Sequence, residues 1–242
     1  MFKDNFIIVV EYDKLHNIFN SKVIFDKTDH LQYFPSQWSL EIGDIYYIVY
    51  ILQHLKPIRH LEFGTSIVTS TLAVLENTNA TVWTINCLLN NEKNDYFFQK
   101  SATLENWLKS FGLMAIDKIN GNSPAIIGYK YLVRNLGHRV NQIYANSLNW
   151  EPKDIYPPNF FDSVFIDGGH LKEVVINDTL KGLSVLRKNG IIMWHVFNLF
   201  NLEQEPFKGV FEGISEIREV LYENFDNLFW IYPSFLLFGI KK

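Results

Sequence analysis

Arg59-His60-Leu61-Glu62-Phe63-Gly64-Thr65-Ser66, followed by Ile67-Val68-Thr69-Ser70-Thr71-Leu72-Ala73-Val74, is the stretch on which the fold turns. It reads as a short apolar strand ending in an acid, a glycine turn, and the start of a helix. The first turn of a helix carries unpaired N–H donors that can face a ligand. Gly64 permits positive φ and lets a ligand come close to the backbone. That is the chemistry of a nucleotide or nucleoside cofactor site.

Upstream, Ser39 is placed to cap a helix over Leu40 to Leu55, in which Ile42, Ile45, Tyr46, Val49 and Leu52 recur at helical spacing until Pro57 stops it. Downstream, a helix over Ile67 to Leu75 leads to a strand, Thr81 to Ile85, with Asn86 at its end. A polar-faced helix is expected over 92–110, a loop over 111–125, a short helix over Ala125 to Asn135, and a strand from Val140 to Ala145 running into Asn146-Ser147. Phe161 to Ile166 reads as a strand ending at Asp167-Gly168-Gly169-His170, and Leu171 to Leu186 as an amphipathic helix stopped by Asn189-Gly190. Ile191 to His195 is a buried strand, Phe207 to Tyr222 a helix, and Leu228 to Tyr232 with Phe235 to Ile240 a closing antiparallel pair. Residues 1–38 are irregular in pattern, with a strand at Phe6 to Val10 and an aromatic loop at Leu31 to Trp38; they form an N-terminal extension or lid to a main domain over 39–242.

Strands alternating with helices give an α/β fold, a mostly parallel sheet with helices on both faces. Ligands of such sheets sit at the carboxyl ends of the strands. Glu62, Asn86, Asn146, Asp167 and His195 all fall at or just beyond strand ends, so one edge collects the polar chemistry.

The 242 residues fit one large domain, and 48% hydrophobic with 20% charged residues is a globular balance. The net charge of −4 offers no basic surface, so nucleic acid is not an expected partner. Cys87, the single cysteine, excludes an internal disulfide and a cysteine-based zinc cluster, and fits a reducing compartment. With neither a secretory leader nor a membrane-spanning run, a cytoplasmic protein without a membrane partner is expected. The aromatic N-terminal segment offers packing surface for a second copy, leaving a homo-oligomer open.

Leu61-Glu62-Phe63-Gly64-Thr65 with Ser70-Thr71-Leu72 resembles the first motif of class I S-adenosylmethionine-dependent methyltransferases. Phe165-Ile166-Asp167-Gly168-Gly169-His170, the helix that follows, Asn189-Gly190-Ile191-Ile192 and Trp194-His195 resemble the branch carrying an IDG-x-H motif, which includes small-molecule O-methyltransferases. The resemblance implies a Rossmann-like, seven-stranded sheet with S-adenosylmethionine lying across the ends of the first strands. It places Gly64, Thr65 and Ser66 at the methionine part, Glu62 at its amino group and Ser70 near its carboxylate. Asn86 stands where an acid usually holds the ribose, and Asn146 and Ser147 lie beside the adenine, with Asp167 also on the cofactor side.

Three departures qualify the match. Val68 stands where a glycine is common, Asn86 replaces the ribose-binding carboxylate, and Val196 replaces an Asp that often helps hold a divalent metal. Magnesium wants several oxygen ligands, and Asp167 is the one obvious carboxylate left, which argues against a divalent metal; no metal ligands are assigned. Methyl transfer needs alignment of donor and acceptor and a proton acceptor for a hydroxyl, and Asp167, His170 and His195 are the catalytic candidates. Plainer roles stay open beside these. Glu62 can cap the helix start, Asp167-Gly168-Gly169 can be a tight turn, and His195 can be a satisfied core histidine. Asn86 and Asn146 can be ordinary turn residues. A methyltransferase-fold protein that binds without turnover is the main alternative, while a nicotinamide enzyme would lack G-x-G-x-x-G at the junction.

Overall fold

A computed structural model of the chain describes residues 2–3, 5–11, 14–19, 42–65, 68–87, 97–100, 131 and 133–242. Among the described residues nine strands form one sheet: β1 (Ile7–Glu11), β2 (Arg59–Phe63), β3 (Thr81–Asn86), β4 (Phe97–Lys100), β5 (Val140–Tyr144), β6 (Phe161–Ile166), β7 (Leu186–Trp194), β8 (Phe225–Tyr232) and β9 (Leu237–Lys241). Their order is β1-β8-β9-β7-β6-β2-β3-β5-β4. β2 pairs in parallel with β3 and β6, β3 with β5, and β6 with β7, while β9 runs antiparallel between β7 and β8.

Period-two alternation sorts the side chains between two cores. Phe165, Ile191 and Met193 face one, built with α1 (Leu15–Phe19), α2 (Ile42–Leu55) and α3 (Thr69–Asn77). Leu61, Phe63, Val164, Ile166, Ile192 and Trp194 face the other, built with α4 (Lys172–Val185), α5 (Phe207–Glu216) and α6 (Arg218–Asn224). Helices on both faces leave only the strand ends open to a ligand, as expected for a mostly parallel sheet.

Several details differ from the sequence expectations. The sheet has nine strands rather than seven, because β1 adds in parallel to β8 and β4 adds antiparallel to β5 at the two edges. β1 is the strand expected at Phe6 to Val10, displaced by one residue. Within the expected 92–110 helix, Phe97–Lys100 is a strand, since two adjacent aromatics suit the open edge of β5 better than a helix. Asn189-Gly190 does not end the helix: α4 stops at Val185, and the chain passes directly into β7. There Leu186 pairs with Phe161 and Ile191 with Ser163, so the residues between bulge outward, with Asn189 at φ 58°. The helix expected over Phe207 to Tyr222 is broken at Ile217. Ser39, the loop from Leu31 to Trp38 and the loop over 111–125 lie outside the described residues.

Asp162 fastens the start of this frame. Its Oδ2 accepts the N–H groups of Ile58 and Arg59, each at 2.8 Å, and its Oδ1 accepts Arg187 Nε at 2.6 Å. Burial alone would raise its pKa; the donors from Arg59, Arg187 and Ile58 outweigh it and hold the carboxyl below the usual range. Asp162→Ala should leave two backbone donors unpaired and lower stability by about 2–4 kcal/mol, read as a shifted urea midpoint at unchanged slope.

Candidate functional site

The organising junction is built by close approach. Gly64 has φ 102°, and a Cβ there would lie 2.0 Å from the Asp167 carbonyl oxygen, so only glycine lets β2 and β6 end side by side. Glu62 is fully buried on the α3 face, where the hydroxyls of Ser70 and Thr71 donate to its two carboxylate oxygens. Burial raises its pKa to about 7, with the Asp167 charge adding to the rise and the Ser70 and Thr71 hydroxyls opposing it. Thr65 is buried too: its hydroxyl pairs with that of Thr84 at 2.7 Å and accepts Gln142 Nε2 at 2.9 Å. Ser66 lies outside the described residues.

Beyond Gly64 a cavity of about 220 Å³ opens across the ends of β2, β3, β5 and β6. Of the expected cofactor residues, Gly64, Asn86, Ser147 and Asp167 line it. Glu62, Thr65 and Ser70 stand behind its wall. Asn146 shapes the turn after β5, its Oδ1 accepting the N–H of Leu148 at 3.0 Å.

The three catalytic candidates come together. His195 Nδ1 lies 2.9 Å from Asp167 Oδ1, and His170 Nε2 lies 3.5 Å from the same oxygen. His195 Nε2 meets a fourth group, Asp44 of α2, at 3.1 Å, and the other Asp44 oxygen accepts the N–H of Phe235. Burial alone would lower the His195 pKa, but the two carboxylates more than offset it and lift it to about 10. With a carboxylate on each nitrogen, His195 is held as imidazolium and has no lone pair for a substrate proton. Asp167, whose own burial works the other way, is kept below the usual carboxylate range by His195 and His170. His170 has a third of its side chain exposed, so of the two imidazoles it is the one within reach of a substrate.

Asp167, His170 and His195 each offer one ligand atom, all within 4.8 Å of one another. One oxygen and two nitrogens do not fit magnesium, which takes oxygen ligands, and both His195 nitrogens already face carboxylates.

Two residues of the site escaped the sequence expectations. Asp44 (2% exposed) and Asp178 (1% exposed) are buried acids on helices. The available signal was an acid inside an apolar stripe: Asp44 beside Ile45 and Ile48, and Asp178 one turn after Val174 and Val175. Such an acid needs a partner, but the sequence does not say from where.

Residues 61–196, more than half of the chain, match the family model described as Methyltransferase domain. No curated protein matches the chain in sequence. Among solved structures, the O-methyltransferase from Bacillus cereus in complex with SAH is 15% identical, with 85% of this chain and 84% of that chain covered at a TM-score of 0.55. The O-methyltransferase TomG from Streptomyces achromogenes, in complex with SAM, is 13% identical over 95% of this chain and 87% of that chain, at 0.58. The methyltransferase PaMTH1 from Podospora anserina, bound to SAH, is 15% identical over 88% and 84%, at 0.57. At such identities the likeness establishes the fold.

The buried groups give stability a defined pH dependence. Glu62 binds its proton more tightly folded, near 7, than at its ordinary value of 4.5, so its contribution is full below 4.5 and is lost as pH rises through 7. His195 likewise contributes fully below 6.5 and loses that contribution as pH rises through 10. Glu62→Gln should flatten the decline between pH 4.5 and 7 and leave the alkaline one, as read by urea unfolding across that range.

Proposed function

The chain belongs to the methyltransferase-domain family, and we propose that it transfers the methyl group of S-adenosylmethionine to a hydroxyl oxygen of a small molecule. The observation that supports this best is the cavity over Gly64, with an ionised Asp167 on its wall and a histidine pair behind it. A cationic sulfonium suits a cavity whose nearest charge is a carboxylate. The resemblance of the fold to O-methyltransferases bound to SAM or SAH supports the same cofactor.

In this reading Gly64, Thr65, Ser66 and Ser70 serve the methionine end, with Glu62 acting through the Ser70 and Thr71 hydroxyls. Asn86 bonds the ribose through its amide, and Asn146 and Ser147 flank the base. When bound, S-adenosylmethionine would supply a methyl group activated on a sulfonium, for transfer to the acceptor oxygen with a neutral thioether left behind. Alignment is the main task of the protein. His170 takes the hydroxyl proton, and Asp167 steadies the imidazolium that results. His195, already protonated, holds Asp167 in place and takes no substrate proton.

The acceptor is assigned to a small molecule, since a chain of net charge −4 offers nucleic acid no basic face. No helix among the described residues is long and apolar enough to cross a membrane, and a cytoplasmic location fits the single cysteine. Segments 1–38, 111–135 and 197–206 are proposed to recognise the acceptor. Binding without turnover is the second reading, favoured by the protonated His195 and by Val196 in place of an acid.

Calorimetry with S-adenosylmethionine, S-adenosylhomocysteine and NAD, followed by assay of S-adenosylhomocysteine release over a panel of hydroxyl compounds, tests the proposal. Binding of both sulfur compounds and turnover on some acceptor is expected. His170→Ala should then lower kcat by about 10²–10⁴-fold with cofactor affinity nearly unchanged. No affinity for either sulfur compound would sink the proposal, and binding without transfer would favour the second reading.

A further inference from the structure

Asp44 sits at no strand end, yet it closes the polar cluster there. It stands in the first turn of α2, 2% exposed. Both of its oxygens meet nitrogen: Oδ2 lies 3.1 Å from His195 Nε2, and Oδ1 accepts the N–H of Phe235 at 3.1 Å. His195 is thereby placed between two acids, its Nδ1 lying 2.9 Å from Asp167 Oδ1. A neutral imidazole has one N–H and can donate to only one of them. A ring that donates to both carries a proton on each nitrogen. The Phe165 ring, 6.3 Å away between centroids, adds no charge to the pair.

His170 shares Asp167 with this ring. Its Nε2 lies 3.5 Å from the same Oδ1 that His195 bonds, longer than a good hydrogen bond, so the two meet chiefly through charge. A bare carboxylate so placed would hold a proton on His170, and a protonated imidazole accepts nothing from a hydroxyl. The imidazolium of His195 offsets that charge at close range, while the anion that keeps it protonated, Asp44, stands at its other nitrogen. Two further acids border the cluster and have donors of their own. Glu62 is bonded by Ser70 and Thr71, and Glu205 accepts the N–H of Gly209 at 3.4 Å, beside the His170 carbonyl. Lys172, two residues beyond His170, is bonded to Glu216 at 3.0 Å.

Given the methyl-transfer reading above, we propose that Asp44 is a positioning residue of this site. By holding His195 as a cation against Asp167, it leaves His170 neutral and free to take the proton of the acceptor hydroxyl. In Asp44→Asn an amide faces Nε2. It has no charge with which to retain the second proton, and it donates as readily as it accepts. His195 then keeps one proton, on Nδ1 toward Asp167, and Asp167 faces His170 as an uncompensated anion.

The test reads the histidine side chains by NMR in the full chain, without ligand, using isotope-labelled histidine. In the wild type at about pH 8.5, both His195 nitrogens should show imidazolium shifts, since that ring gives up its proton only near 10. In Asp44→Asn at the same pH, His195 should be neutral with its proton on Nδ1. The neutral fraction of His170 at about pH 7.5 should fall by roughly threefold or more. A neutral His195 in the wild type would overturn the proposal whether or not the variant folds. An imidazolium retained in Asp44→Asn would overturn it as well. An unchanged neutral fraction at His170 would do the same, reducing Asp44 to a structural tie. A chain that binds neither S-adenosylmethionine nor S-adenosylhomocysteine would sink the methyl-transfer reading while leaving these spectra as they are, so the two failures are distinct.

Discussion

The imidazolium of His195, clamped between Asp44 and Asp167, is the interaction on which the site depends. Three charged groups share one small volume, and each would be expensive to bury alone. Together they are satisfied: each nitrogen of the ring faces a carboxylate, and the spare Asp44 oxygen takes a backbone N–H from the β8–β9 turn. The clamp ties four distant pieces, α2, the end of β6, the end of β7 and the C-terminal hairpin. Removing one member would strand a buried charge, a loss of about 3–5 kcal/mol for pairs of this kind. Its functional result is a carboxylate fixed in place, since Asp167 meets the clamp with one oxygen and the cavity from the same strand end.

A second polar layer supports the other half of the cavity. On the α3 face of the sheet, Glu62 is bonded by Ser70 and Thr71, and Thr65 joins Thr84 and Gln142. These groups cross from β2 to α3, β3 and β5 inside an otherwise apolar core. Polar networks of this kind specify register, because a slip of one residue would leave every member unpaired. Gly64 then needs no side chain of its own. Its backbone rests on a floor fixed from below by Glu62 and Thr65 and from the side by Asp167, and a ligand meets a preformed surface.

Much of this frame was legible in the sequence because its signals are local. Apolar runs of five or six residues, each followed by a glycine, an acid or an amide, mark strand ends wherever they occur. That is why Gly64, Asn86, Asp167 and His195 could be placed on one edge. Asp44 was not legible, since its partner His195 is 151 residues away and nothing near Asp44 announces it. The same holds for Asp178, whose role depends on the packing of α4 against the loop after β5. The edge strands fail for another reason. Phe97–Lys100 is four residues long, too short to show a period, and takes its identity from the neighbour it pairs with. Asn189-Gly190 looked like a helix stop because Asn-Gly suits any tight turn; whether it ends a helix or bulges a strand is decided by the pairing across β6.

The departures from the family pattern have a common physical form. Val68 stands where a glycine is common and Val196 where an aspartate follows histidine, and both adopt the left-handed conformation, at φ 67° and 60°. Glycine enters that region freely, and aspartate more readily than a β-branched residue, which is strained there by about 1–2 kcal/mol. Both valines are buried, Val68 in the core beneath α3 and Val196 in the opposite one. Burial of a valine side chain returns about 1.5–3 kcal/mol, enough to hold each in place. Each valine therefore holds a left-handed backbone turn by its packing, Val68 ahead of α3 and Val196 after β7. The positive charge beside Asp167 is the proton on His195, which Asp44 is positioned to retain.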